Sequence, residues 1–459
     1  MNMAVTGTNR RDFLRGAAFL GAAAALPRAA SAAVRGTPLL KVAIMSDVQG
    51  YPYPEDAGMR NLERALDVLS PLRPDVVVND GDINDSGRDS AAVAYYKARC
   101  DARLGAIPHV ACMGNHEIGF VPAELRQTRT PAACLRDFNA VFGYGPGEWV
   151  VRRTIAGYDF IALSLSRVAG YTADELAELK AAIDEAVRRD ATKPVFVVTH
   201  YHAKDTVNDS FSEGMCGPLR RLLDGYPQVV SLSGHSHNPL QDPRSIWQGE
   251  FTAVDTSTLC YGCITTKPSA VNQVSCLIPY GHESVGFMLL EVYSDRLVFR
   301  RFTARDRREL EPAAPWTVPW PHDPAKAPYS FARRRAAEVA PQFAGDAEPT
   351  LWYDFGYIYL MFNAAARPES VLGYRIEIEP EGGVAASYLQ LSDYYRIPEH
   401  RQSRIVFKAP PGSLVQGARH RCRIYPVGFF GAEGCPAEWF FTTKPYYRPR
   451  ADKIACVQE

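Results

Sequence analysis

Five short polar motifs, each directly behind a run of β-branched apolar residues, constrain this chain more than any other feature of its 459 residues. The runs lie at 41–45, 76–78, 109–113, 160–163, 195–199 and 229–233, and stretches with helical periodicity lie between them at 58–70, 90–102, 172–189 and 217–224. Short buried strands joined by helical crossovers make an α/β domain whose sheet strands are sandwiched by helices. The motifs are Asp47-Val48-Gln49, Gly81-Asp82-Ile83-Asn84-Asp85, Gly114-Asn115-His116-Glu117, Thr199-His200-Tyr201-His202 and Gly234-His235-Ser236-His237. Each therefore sits at the carboxyl end of a strand, where open α/β sheets bind their ligands.

Singly, the pieces say little: an Asp at a strand end is usually a helix cap, Gly-Asn-His a turn, and two histidines at i and i+2 a polar loop. Together they bring carboxylates, an amide and several imidazoles to one edge. That donor set suits a pair of divalent cations, because an Asp can bridge two ions while His and Asn complete the shells. In order and placement the motifs match the calcineurin-like metallophosphoesterase signature of Asp-x-His, Gly-Asp-x-x, Gly-Asn-His-Asp/Glu, His and Gly-His-x-His, and residues 39–303 resemble that family.

The resemblance implies a four-layer α/β/β/α sandwich with two divalent metal ions, whether Mn, Zn, Fe or Mg. One ion would be held by Asp47, Asp82 and His237 and the other by Asp82, Asn115, His200 and His235, with Asp82 bridging. By the same resemblance His116 is not a ligand but the catalytic group that contacts phosphate and protonates the leaving oxygen, a duty suited to an imidazole of ordinary pKa about 6.5. The reaction implied is hydrolysis of phosphate mono- or diesters by in-line attack of a metal-bound hydroxide. Gln49 departs from the family pattern, which has a histidine on the first ion there. Either its carbonyl oxygen binds, favouring harder ions such as Mn²⁺ or Mg²⁺ over Zn²⁺, or it only hydrogen-bonds a bound water and leaves a weaker first site. Asn84, Asp85 and Arg88 follow Asp82 on its loop and are candidates for reaching substrate, with helix capping and a surface charge pair as the competing account. His202 is a further candidate for substrate contact, and Tyr51 and Tyr53 for the entrance.

A purple acid phosphatase carries a Tyr ligand where this chain has Asp85 and places its sandwich ahead of the catalytic domain; a protein Ser/Thr phosphatase has Gly-Asp-x-x-Asp-Arg-Gly where this chain has Ser86 before Gly87. Both readings are disfavoured. The alternative from another class is a metal-depleted, non-catalytic binding protein that uses a β-sandwich for its contacts. It ranks below the enzyme because His116 and the other expected ligands are present. The metals read only phosphoryl oxygens, so specificity falls to surrounding loops, here the insert 122–149 and the loop 256–283.

A single core rarely grows past about 250 to 300 residues, so the chain divides. Residues 1–32 read as a twin-arginine signal peptide, with Arg10-Arg11 before an Ala/Gly-rich apolar run and Ala30-Ser31-Ala32 as a cleavage site, which implies a periplasmic or secreted protein. The catalytic domain then spans 33–303, a connector rich in proline and alanine 304–348, a smaller all-β domain 349–445 and a tail 446–459. Alternating strands at 351–355, 358–363, 371–378, 404–408, 419–429 and 438–442 resemble a fibronectin type III or immunoglobulin-like sandwich. The net charge is zero without a basic stripe, which argues against a held nucleic acid, while the resemblance implies a small phosphate-ester substrate. No later segment is apolar and long enough to span a membrane. Ten cysteines permit disulfides after export, with Cys422 and Cys435 placed to face each other across a hairpin. Cys260, Cys263, Cys276 and His282 make an irregular zinc pattern, for which a loop disulfide or buried thiols are the better account.

Overall fold

Alternation along the first strand sets the architecture. In Leu40–Met45, Leu40, Val42 and Ile44 enter one core while Ala43 and Met45 enter another, all fully buried, as the two-residue period of a strand dictates. The computed structural model describes residues 36–444 apart from 88–89, 120, 122, 266–274, 279–280, 311–313, 355–356 and 411. The expected signal segment 1–32, Arg88 and the tail 446–459 lie outside the described residues.

The first strand pairs in parallel with Val76–Asn79, which pairs with His109–Ala111. On its other side it pairs antiparallel with Gly286–Val292, followed by Arg296–Thr303. A second mixed sheet runs Val150–Ile155, Tyr158–Leu163, Val195–Thr199, Val229–Ser233, Thr252–Asp255, Ile246–Gln248, parallel through its middle and antiparallel at its edges. Phe160, Phe196, Val198 and Val230 of the second sheet share a core with Leu40, Val42, Val76 and Val78 of the first. Burying each such side chain contributes about 1.5–3 kcal/mol, which fixes the two sets of strand ends relative to each other. Helices Ala57–Leu72, Ala91–Leu104 and Pro131–Phe142 pack on the other face of the first sheet, and Ala173–Arg189 and Glu213–Leu223 on that of the second.

Two expectations change. The insert 122–149, expected to shape a pocket, contains the helix Pro131–Phe142, with Thr130 as its cap, Pro131 at its first position and Gly143 ending it at φ 70°. Cys134, Leu135 and Phe138 pack into the helix-side core, so this helix serves the scaffold. The segment 304–348, expected as a surface connector, contributes the strand Trp316–Pro319, which pairs antiparallel with Arg296–Thr303 and buries Trp316 and Val318 between the sheets. The surrounding prolines hide that alternation.

The C-terminal part is β-rich. Thr350–Asp354, Tyr357–Asn363 and Arg404–Lys408 form one antiparallel sheet, and Ala386–Leu391, Gly373–Pro380, Arg419–Val427 and Ala437–Thr442 a second. Both feed one core around Phe362, Tyr374, Ile376 and Ile424. Ala386–Leu391 escapes a sequence reading because it is an edge strand, half-buried throughout and without alternation. The Cys422–Cys435 pairing that the sequence allows does not form: Cys422 faces the core, Cys435 lies on the surface, and both are free thiols. In the imagined zinc pattern, Cys260 and His282 meet through the Cys260 carbonyl, 2.6 Å from His282 Nδ1, and the side chain of Cys276 lies outside the described residues. Among the described residues no helix is long and apolar enough to cross a membrane.

Candidate metal centre

Left-handed backbone marks the strand ends. Asp47, Gln49, Asp82, His235 and His237 have φ between 44° and 70°, a conformation that costs a non-glycine residue about 1–3 kcal/mol and persists only where surrounding contacts impose it. Those contacts are present: Asp47 N donates to Gly81 O (3.1 Å), Gln49 N to Asp82 O (2.9 Å), His235 N to Asp47 Oδ2 (3.0 Å) and His116 N to Asp82 Oδ1 (2.8 Å). The approach is so close that a Cβ at Gly234 would run into Ser46 Oγ and Asp47 Oδ2, and one at Gly114 into Asp82 Oδ1. Glycine at these two positions is therefore what lets the loops meet.

Backbone carbonyls orient the imidazoles. His200 Nδ1 lies 2.9 Å from Asp80 O, His237 Nδ1 2.9 Å from Tyr261 O and His116 Nδ1 2.7 Å from Asp85 O. A carbonyl only accepts, so each Nδ1 carries a proton and donates, and each Nε2 turns its lone pair inward. His200 Nε2 then stands 2.9 Å from Asn115 Oδ1 and 3.2 Å from Asp82 Oδ2, His237 Nε2 3.1 Å from Asp47 Oδ1, and His116 Nε2 3.8 Å from Asp82 Oδ2. Asp82, His200 and His235 offer ligand atoms within 4.8 Å of one another. Asp47 Oδ1 is buried and has no hydrogen-bond donor among the described residues. Lone pairs facing lone pairs in a dry interior repel unless positive charge, a proton or a metal ion, lies among them, and this donor set of carboxylates, amide and imidazoles fits divalent metal ions.

The electrostatics agree. Burial pushes the His200 imidazole down, but Asp82 beside it wins and lifts it to about 10. Burial would raise both carboxyls, yet His200 and His116 hold Asp82, and His237 holds Asp47, below the usual carboxylate range. Burial and the neighbouring His200 push His235 down to about 3. The centre keeps its carboxylates ionised and draws positive charge, here a proton on His200 Nε2 that a metal ion would displace.

Gln49 stands where the resemblance has a histidine. Its Nε2 lies 3.3 Å from His237 Nε2 and 3.5 Å from Asp82 Oδ2, so its amide donates toward the lone pairs that a first ion would use. Carbonyl coordination requires that amide to turn over. Glu117 is a motif member whose work the sequence did not reveal. Its Oε2 accepts from Asp82 N (3.0 Å) and Gly114 N (2.7 Å), and its Oε1 from Ile83 N (2.8 Å) and Asn84 N (3.2 Å), a clasp of three donors on the loop of Asp82 and one beside Asn115. Burial and the Asp82 charge raise its carboxyl to about 7.

Of the expected substrate contacts, Asn84 is buried in a backbone bridge with Gly50, and Asp85 accepts from Tyr51 Oη at 2.7 Å while its carbonyl holds His116. His202 is 1% exposed, bonded through Nδ1 to Ser233 Oγ at 2.7 Å, and burial pushes it to about 3. It is a neutral internal support, not a group on the surface of the cleft. The loop 256–283 reaches the centre through Tyr261, whose ring packs on His237 at a 38° tilt with centroids 4.3 Å apart; nothing in its sequence pattern points to that contact.

No curated protein matches the sequence. Among solved structures the chain is similar to a dimetal phosphatase from Danio rerio, at 14% identity and a TM-score of 0.42, over 62% of this chain and 99% of that one. It is similar to a purple acid phosphatase from seeds of yellow lupin, Lupinus luteus, at 12% identity and a TM-score of 0.42, over 61% of this chain and 53% of that one, so it spans about half of that protein's length. It is also similar to the anchor in the inner membrane complex of Plasmodium, at 15% identity and a TM-score of 0.40, over 64% of this chain and 94% of that one. Residues 40–239 match the profile of the family described as calcineurin-like phosphoesterase, and this part of the chain is a domain of that family.

Proposed function

We propose that the chain is an exported phosphoesterase that uses two divalent ions to hydrolyse phosphate mono- or diesters. The observation that carries this reading is the set of lone pairs on Asp47, Asp82, Asn115, His200 and His237 that face one another across 2.9–3.2 Å. Asp47, Asp82 and His237, with Gln49 beside them, would hold one ion, and Asp82, Asn115, His200 and His235 the other; Mn, Zn, Fe and Mg are the candidates. Bound ions supply Lewis-acid stabilisation of phosphoryl charge and acidify water. The rest falls to the chain's own groups. His116 keeps its Nδ1 proton on the Asp85 carbonyl, so Nε2 is the nitrogen that gains a proton and gives it to the leaving oxygen. Glu117, clasping the loop of Asp82, holds that carboxylate still while charge develops on the substrate.

The finer architecture follows the same reading. The core between the two sheets, flanked by helices on both outer faces, supports the four-layer arrangement for 33–303. Three strands against four support a fibronectin type III or immunoglobulin-like domain for 349–445, reached through 304–348. Residues 1–32 would direct export by the twin-arginine route to the periplasm or medium; N-terminal sequencing of protein recovered outside the cytoplasm tests this, an intact Met1 counting against it.

The test of activity is hydrolysis of p-nitrophenyl phosphate and bis-p-nitrophenyl phosphate with Mn²⁺, Zn²⁺, Mg²⁺ or chelator, beside His116→Ala. Metal-dependent turnover lost in the variant is expected. No turnover with any metal would move the reading to a non-catalytic binding protein.

A further inference from the structure

The segment that follows Gln49 carries a feature that the hydrolytic chemistry leaves unused. Tyr51 and Tyr53 are exposed at 43% and 47%, yet their rings lie 9° from parallel with centroids 5.9 Å apart. The segment that bears them is fastened to the loop of Asp82: Gln49 N donates to Asp82 O (2.9 Å), Gly50 N to Ile83 O (3.0 Å) and Tyr51 Oη to Asp85 Oδ2 (2.7 Å). The hydroxyl bond to Asp85 fixes the Tyr51 ring, which stays 43% exposed beside Tyr53. Asp85 is also the residue whose carbonyl holds His116 Nδ1. Asp85 backs His116 from the Nδ1 side, so a single residue links Tyr51 to the group whose Nε2 protonates the leaving oxygen, and Tyr51 borders the centre next to that group.

We propose, on the reading that the centre cleaves phosphate esters, that Tyr51 and Tyr53 form a stacking platform for a leaving group with a planar aromatic ring, a nucleoside or a phenol. Rings already held in place lose little entropy on binding, and stacking tolerates any planar partner. The metals select the phosphoryl group and the platform selects what is attached to it.

The test compares kcat/KM for adenosine 5′-phosphate and ribose 5-phosphate, or for their methyl diesters if the diester is the form cleaved. Both members of a pair leave through the same primary oxygen, so the ratio reports the ring. The native chain should favour the nucleotide by about tenfold, through KM. The double variant Tyr51→Leu/Tyr53→Leu should bring the ratio close to one, whereas Tyr51→Phe, which keeps the ring, should retain it. A ratio of one in the native chain, or a preference that survives in the double leucine variant, overturns the platform alone. Absence of turnover on every compound with every metal overturns the phosphoesterase reading and the platform with it.

Discussion

The two halves of the candidate metal centre are built differently. In one half His200 Nε2 faces Asn115 Oδ1 at 2.9 Å and Asp82 Oδ2 at 3.2 Å, with His200 and Asp82 almost wholly buried. In the other, His237 Nε2 faces Asp47 Oδ1 at 3.1 Å but already has the Gln49 amide nitrogen 3.3 Å away. The first half holds no amide N–H against His200 Nε2 or Asn115 Oδ1, so a cation there displaces only the His200 proton. The second is partly supplied with N–H donors and gives up hydrogen bonds to accept an ion, so the ions are expected to bind unequally, tighter around His200.

Removing the residue common to both halves breaks the comparison outright. Asp82→Asn keeps the shape of the bridge but removes its charge; turnover should fall on the order of 10³-fold or more, and calorimetric titration with Mn²⁺ should lose both binding events. One surviving event would mean that the halves do not share Asp82. The next effect separates them. His200→Ala should weaken the tighter event beyond the roughly 100-fold that loss of a supporting hydrogen bond can cost, while His237→Ala should weaken only the looser one. Equal losses would refute the inequality.

What the sequence offered and what it withheld follow the same physical division. The buried parallel strands were legible because they are continuous apolar runs: 195–199 and 229–233 coincide with Val195–Thr199 and Val229–Ser233. The strand Gly286–Val292 was not, because it earns its place by pairing with Leu40–Met45 across most of the domain. In the centre, the residue types at the strand ends were readable and their orientation was not. Which nitrogen of His200 or His237 faces inward is decided by the carbonyls of Asp80 and Tyr261, and the role of Gln49 by His237, 188 residues away. Glu117 was visible as a letter of its motif, but its clasp on Asp82, Ile83 and Asn84 spans 33 to 35 residues and exists only in the fold.

Gln49→His is the change expected to even the halves. It replaces an amide donor with an imidazole lone pair, so the looser event should tighten for Zn²⁺ by about tenfold while the tighter one stays as it was. An unchanged titration would mean that something other than Gln49 sets the halves apart.

The smallest expected effect comes from the C-terminal part, which braces one half only. Tyr395, 2% exposed, donates through Oη to Asp242 Oδ2 at 2.9 Å, and Asp242 also holds Arg244 at 2.6 Å. Tyr394 and Tyr395 pack on Ile264, next to Cys263, whose N donates to His237 O at 2.9 Å. Both routes lead to the segment of His237 and neither to His200. Tyr395→Phe removes one buried hydrogen bond but leaves Asp242 paired with Arg244, so stability in denaturant should fall by about 1 kcal/mol. The metal can feel no more than that bond supplies: 1 kcal/mol corresponds to about fivefold in affinity, and part of it is spent on the fold itself. A two- to threefold weakening of the looser event with the tighter one unmoved is therefore expected, and a loss shared by both events would show that the brace supports the whole centre and not its His237 half.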